Sequence, residues 1–175
     1  YGSVQRSRRL RKIEGFLESG TSAAQYENVY APLYPMSFYA MVAQRYMHEY
    51  GATAEDLANV AISARQWASL NPMAFKRDPL TLADVLSSPI ISSPLRIADC
   101  CLVTDGGGAL VVTSADRGND LNKQPVHILA HAETTTHDAM SQVPDLMRHG
   151  SVTTARRAFQ IARLTPHDID VTQIY

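Results

Sequence analysis

A chain of 175 residues, of which 45% are apolar and 19% charged, has the composition of a folded globular domain rather than of a disordered segment. Sixteen Lys and Arg residues against seventeen Asp and Glu residues give a net charge of −1, which removes the electrostatic case for a nucleic-acid-binding protein. No apolar run is long enough to span a membrane, and two adjacent cysteines do not make a secreted disulfide scaffold. We therefore expect no membrane span and a reducing, cytoplasmic location.

The first 35 residues predict little regular structure. Five basic residues fall within residues 1–12, and this run either contacts an anion such as a nucleotide phosphate or is a solvated loop. A stretch rich in small residues and proline then predicts an irregular loop over residues 20–35.

Helices are predicted next, from their apolar spacing and their end signals. Apolar residues recur every three to four positions from Met36, and Gly51 is a natural stop for that helix. The second helix begins after Thr53, whose side chain can cap free N–H groups, and ends before Asn71-Pro72 because proline disfavours helix in the preceding residue. A shorter turn repeats this capping pattern over residues 81–84.

Short apolar runs replace the helical pattern after residue 99. Residues 109–113 and 126–130 each predict a strand buried on both faces, and residues 169–175 predict a third. A predicted helix over residues 151–164 lies between the second and third strands, which favours a parallel α/β sheet. Three strands alone leave exposed edges, and the last residue falls inside a predicted strand, so we expect an interior segment of a longer protein.

Cysteine and glycine clusters could carry chemistry, but each has an inert interpretation. A reactive thiol at Cys100 or Cys101 would need a His or a helix N-terminus beside it, and buried cysteines are usually inert. The three glycines at residues 106–108 fit neither phosphate-loop nor dinucleotide spacing, and a predicted strand follows them. Close approach of the backbone to another element is the favoured explanation.

The histidines and the final tyrosine are the remaining candidates. None of the six histidines pairs in a metal-ligand spacing on one helix face. The polar loop from His131 to His137 follows a predicted strand end, where sites are often found. Tyr175 closes the third predicted strand, and it is either an acid or hydrogen-bond donor or a core residue with a solvated hydroxyl.

Several segments match, in order and spacing, the motifs of one enzyme superfamily. Residues 39–51 are similar to the helix of its loop domain, Asn71-Pro72 to its NP helix stop, residues 99–109 to its CCP-S/T-DGAAA strand entry, and residues 164–171 to the segment before its HDCF or YD-F motif. The chain thus resembles the thiolase superfamily, and within it the sterol-carrier-protein-type thiolases and the bacterial lipid-transfer thiolase-like proteins.

The resemblance implies an α/β fold, as a fragment of the thiolase-like fold. Residues 1–98 would be the end of the N-terminal half plus the helical loop domain. Residues 99–175 would be the last strand of the N-terminal half and the start of the C-terminal half, forming part of a mixed α/β sheet. Family members usually form homodimers, and coenzyme A belongs to their substrate, with no separate cofactor and no metal.

The reaction that the resemblance implies is Claisen-type acyl transfer on β-ketoacyl-CoA through a cysteine acyl-enzyme, as in acetyl-CoA acetyltransferases. The nucleophilic Cys would precede Tyr1, and the catalytic His and second Cys would follow Tyr175. Cys101 matches a position where typical thiolases have a Ser lining the pantetheine tunnel, which implies a substrate contact.

Tyr175 matches a His or Asn that helps build the family's oxyanion hole. A tyrosine there resembles thiolase-like retro-aldolases of steroid side-chain degradation, in which it would act as acid or base on a β-hydroxyacyl-CoA, aided by an acyl-CoA-binding partner protein. Three hypotheses therefore stand: a thiolase-like acyltransferase, a carbon–carbon lyase on the same fold, and a non-catalytic fragment.

Overall fold

The computed structural model describes residues 25–33, 35–102 and 106–174. These residues form two compact units. The first contains the described residues up to 102 together with Asp138–Met147, and the second contains Gly106–His137 together with residues 148–174. The domain boundary expected between residues 98 and 99 stays a prediction.

The first unit begins with the two long helices that the sequence predicts. Helix α1 spans Met36–Tyr50 and ends at Gly51, whose φ of 68° lies in the left-handed region that glycine adopts without strain. Helix α2 spans Ala54–Leu70. Its N-terminus is a capping box, in which the Thr53 hydroxyl accepts the Asp56 N–H at 3.4 Å and the Asp56 carboxylate accepts the Thr53 N–H at 2.8 Å.

A short helix and a small sheet complete this unit. Helix α3 spans Leu82–Ser87 and has the capping box predicted over residues 81–84. Strand β1, Ile90–Ser92, pairs antiparallel with β2, Leu95–Arg96, and a cis Ser93–Pro94 peptide lies between them. Helix α2 packs against α3 and against a 3₁₀ turn over Ile97–Asp99. The buried apolar residues of the unit are Ala40, Ala58, Val85 and Ala139.

The second unit contains two helices. Helix α4 spans Ala115–Asn119, and helix α5 spans Ser151–Ala162 within the predicted range. A 3₁₀ turn follows at Pro166–Asp168, where the Asp168 carboxylate accepts hydrogen bonds from the Thr165 N–H and hydroxyl, both at 2.7 Å. The cap predicted from proline at the first position of this turn is confirmed.

The predicted strands of the second half are not strands in the structure. Residues 109–113, 126–130 and 169–174 belong to no sheet, and the side chains that the pattern assigned to a core are exposed, as in Val111 (93%) and Val126 (95%). An apolar run shows that residues require burial, but a strand forms only when a partner strand accepts its hydrogen bonds. Within the described residues the α/β character therefore comes from the helices and the antiparallel pair β1–β2, not from a parallel sheet.

None of the helices in the described ranges is both long enough and apolar enough to cross a membrane.

Candidate functional site

Cys100 is placed as a structural thiol. It is partly buried after the Ile97–Asp99 turn, its Sγ donates to the Arg96 carbonyl oxygen at 3.1 Å, and it lies 4.0 Å from the Met36 Sδ. Burial, reinforced by the negative charge of Asp99, raises the pKa of the Cys100 thiol above its ordinary value. Because the thiolate is the nucleophilic form, this environment favours the inert interpretation of Cys100.

The two committed site residues have different standing. Cys101 is exposed, and it is not among the residues lining the two cavities described below. Its role in a pantetheine tunnel stays a prediction. Tyr175 lies outside the described residues, so its catalytic role also stays a prediction.

An open groove of about 670 Å³ crosses the first unit. Its walls come from the segment after the 3₁₀ turn Asn28–Tyr30, from one face of α1, from the β1–β2 connection and from the segment Asp138–Met147. The lining residues are Tyr30, Ala31, Pro32, Ser37, Ala40, Met41, Gln44, Arg45, His48, Ser92, Ser93 and Leu146. Sequence spacing could not reveal this groove, because its walls are up to a hundred residues apart along the chain.

The groove carries little net charge. Its basic side chains are Arg45 and His48, and the Arg45 guanidinium Nε lies 3.1 Å from the Glu49 carboxylate one helical turn away. That ion pair offsets the charge of Arg45, and the remaining surface is mostly apolar or hydroxylic. Such a surface suits an uncharged ligand group better than a polyanion.

A second cavity, of about 430 Å³, lies in the second unit at the start of α5. Residues 133–137 line it together with His149, Gly150, Ser151 and Thr154, so part of the polar loop singled out from the sequence does border a cavity. The His137 Nδ1 lies 2.7 Å from the Thr136 hydroxyl. A Cβ at position 150 would collide with the Thr134 side chain, which explains the glycine there.

Nowhere in the described ranges do three His, Cys, Asp or Glu side chains come together in a way that could hold a metal ion.

Comparison with known proteins identifies the relatives of the chain. No family model matches it. It is 37% identical, over 79% of its length, to an acetyl-CoA acetyltransferase of Methanothermobacter thermautotrophicus. It is 40% identical, over 81% of its length, to the 17-hydroxy-3-oxo-4-pregnene-20-carboxyl-CoA lyase of Mycobacterium tuberculosis. A solved structure titled Ltp2-ChsH2(DUF35) aldolase matches 87% of the chain with a TM-score of 0.78 and 34% identity.

The chain is a thiolase-like segment. The resemblance inferred from its motifs is thereby confirmed, as is its assignment to the α/β class. The thiolase-like segment spans 37% of the acetyltransferase, 38% of the lyase and 42% of the solved aldolase chain. One of these relatives is named for acyl transfer and the others for lyase or aldolase activity, so the similarity supports a function on acyl-CoA without distinguishing between the two reactions.

Proposed function

We propose that the protein is a thiolase-like acyltransferase of lipid metabolism, which makes or cleaves the bond between the α and β carbons of a β-ketoacyl-CoA. The observation that carries this proposal is the 37% identity to an acetyl-CoA acetyltransferase over 79% of the chain. The partly buried, protonated Cys100 is compatible with it, because the attacking thiolate in this proposal is another cysteine of the protein.

A carbon–carbon lyase acting on a β-hydroxyacyl-CoA is the second candidate. It is supported by the 40% identity to a CoA lyase, by the match to a solved aldolase, and by the tyrosine at position 175. In this reaction a base removes the proton of the β-hydroxyl group, the bond between the α and β carbons breaks, and a carbonyl compound leaves.

The two reactions share one demand on the protein. In both, the electron pair of the broken bond passes to the thioester, giving an enolate that must be stabilised by hydrogen-bond donors before it is protonated. We propose that Tyr175 supplies such a donor, or the acid or base of the lyase, and that Cys101 contacts the pantetheine arm. Two further proposals are a homodimer and, because the solved neighbour's title pairs Ltp2 with ChsH2(DUF35), an acyl-CoA-binding partner protein. The cytoplasmic location stays a prediction.

The decisive experiment compares turnover with and without free CoA in the purified full protein. An acyltransferase cleaves acetoacetyl-CoA only when CoA is present, and it yields two molecules of acetyl-CoA. A lyase cleaves a β-hydroxyacyl-CoA without free CoA and releases a ketone or aldehyde together with a shorter acyl-CoA. Turnover of neither substrate class would contradict both candidates and would favour the non-catalytic hypothesis.

A further inference from the structure

Glu27 is a buried carboxylate outside the residues that the thiolase-like motifs explain. Only 6% of its surface is exposed, and its Oε1 accepts the backbone N–H of Ser141 at 2.7 Å. The two residues are 114 positions apart in the sequence, and both belong to the first unit. A charged group is costly to bury unless it is hydrogen-bonded, and a charge-assisted bond of this length is among the stronger kinds.

The segment that Glu27 holds has its own internal structure. It contains a 3₁₀ turn over Met140–Gln142, and the Gln142 side chain accepts the N–H groups of Asp138 at 2.9 Å and Ala139 at 3.2 Å. Ala139 is 4% exposed. Because these bonds keep the segment compact, the attachment at Ser141 fixes the position of its neighbouring residues as well.

Both sides of the Glu27–Ser141 bond lead to walls of the groove. Glu27 directly precedes the 3₁₀ turn Asn28–Tyr30, and the residues from Tyr30 to Pro32 form one wall. Leu146, five residues after Ser141, contributes to another wall. The carboxylate therefore ties together two chain segments that border the same groove.

We propose that Glu27 is a positioning residue that sets the width of this groove, and that the groove receives the apolar acyl part of a CoA thioester. The proposal rests on the proposed function, since it names where the acyl group of that substrate lies. The diphosphate of CoA carries several negative charges, whereas the groove offers an Arg45 already paired with Glu49. The apolar surface of Ala31, Pro32, Met41 and Leu146 matches an acyl chain instead.

Two variants at position 27 separate the reach of the carboxylate from its charge. Glu27→Asp withdraws the carboxylate by about 1.5 Å, the length of one carbon–carbon bond, while Glu27→Gln keeps an acceptor oxygen in place. Glu55→Gln, on the exposed first turn of α2, is the control. The probes are S-decyl-CoA and S-ethyl-CoA, thioethers that bind without transferring an acyl group, titrated by calorimetry into the full protein. Hydrogen exchange at the Ser141 amide reports the clamp itself.

The unmodified protein and Glu27→Gln are expected to bind S-decyl-CoA more tightly than S-ethyl-CoA. Glu27→Asp is expected to weaken S-decyl-CoA binding about tenfold, with S-ethyl-CoA changed less than about twofold, and to speed exchange at Ser141 about tenfold. Equal affinity for both probes in the unmodified protein would overturn the acyl groove. Unchanged exchange and binding in Glu27→Asp, or an equal loss in Glu27→Gln, would overturn the positioning role. Because the probes do not react, these results do not depend on the turnover assay that tests the proposed function.

Discussion

Tyr175 is the residue on which the proposed chemistry depends most directly. Replacing it with Phe removes the hydroxyl and keeps the ring, so a lost donor to the enolate oxygen would lower kcat by about 10²- to 10³-fold with little change in KM. Steady-state kinetics of the full protein measures this effect. Tyr50→Phe is the matched control, because Tyr50 is 62% exposed at the end of α1. Turnover of Tyr175→Phe at the rate of the unmodified protein would show that the tyrosine is structural only.

The adjacent cysteines should differ in reactivity. Burial and the charge of Asp99 raise the pKa of Cys100, so near neutral pH its thiol is expected to react with iodoacetamide more slowly than the exposed thiol of Cys101. Raising the pH through the elevated pKa should narrow the difference. Because the folded state favours the protonated thiol, the stabilisation is present below the ordinary pKa and is lost as the pH rises through the elevated one. Peptide mass spectrometry after timed labelling measures both rates, and faster labelling of Cys100 would contradict the assignment.

At the scale of elements, the start of α2 depends on its capping box. Thr53→Ala removes the hydroxyl that caps Asp56 and should lower the free energy of unfolding by about 1 kcal/mol. Hydrogen bonds from the Thr53 N–H and hydroxyl lower the pKa of Asp56, so its stabilisation is present above the ordinary value of 3.8 and is lost as the pH falls through the lowered pKa.

Denaturant unfolding at pH 7 and at lower pH tests this cap. The difference between Thr53→Ala and the unmodified protein should shrink as the pH falls below 3.8, where the carboxylate becomes protonated. Ser63→Ala, at an exposed position in the same helix, is the control and should not destabilise the protein. An equal effect of the two substitutions at pH 7 would argue against the cap.

The end of α5 holds a residue in an unfavourable backbone conformation. Arg163 has a φ of 57°, and the N–H groups of Arg163 and Leu164 donate to the carbonyl oxygens of Gln160 and Phe159 at 3.4 and 3.1 Å, the Schellman arrangement in which glycine is usual. Arg163→Gly should therefore raise the free energy of unfolding by about 0.5–1 kcal/mol. Arg157→Gly, inside the same helix, should lower it by about 1 kcal/mol, and thermal unfolding compares the two. Destabilisation by both would contradict this account.

Helix ends could be predicted from the sequence because their signals are local. Thr53 and Asp56 are three residues apart, and Gly51 acts at its own position, so the spacing contains the whole interaction. The strand around Val111 could not be predicted in the same way, because its partner must come from elsewhere. The Glu27–Ser141 bond is also non-local, and no periodic pattern connects residues 114 positions apart. The polar loop ending at His137 was found because its composition, rather than its contacts, marked it.

At the scale of the whole molecule, the exposed surface exceeds what a compact protein of this mass requires. The chain exposes 14839 Å², whereas a folded monomer of its mass exposes roughly 8,500 Å² by the usual scaling. Much of the excess is apolar, including Leu110, Val111 and Val126, each more than nine-tenths exposed. Surfaces of this kind are covered in a stable assembly, either by other segments or by another chain. The thiolase-like segment therefore has the surface of a part rather than of a self-contained enzyme.

The isolated 175-residue chain should consequently show no thiolysis of acetoacetyl-CoA. Thiolysis requires a thiolate that accepts the acyl group, but the environment of Cys100 keeps its thiol protonated, and neither Cys100 nor Cys101 matches a catalytic position of the family. A spectrophotometric assay with CoA in excess, on material whose mass is verified as 19.3 kDa, should give the rate of the blank. A double Cys100→Ser, Cys101→Ser variant is the control. Thiolysis by the 19.3 kDa species that this variant abolishes would show that the chain carries its own nucleophile and that the assignment of both thiols is wrong.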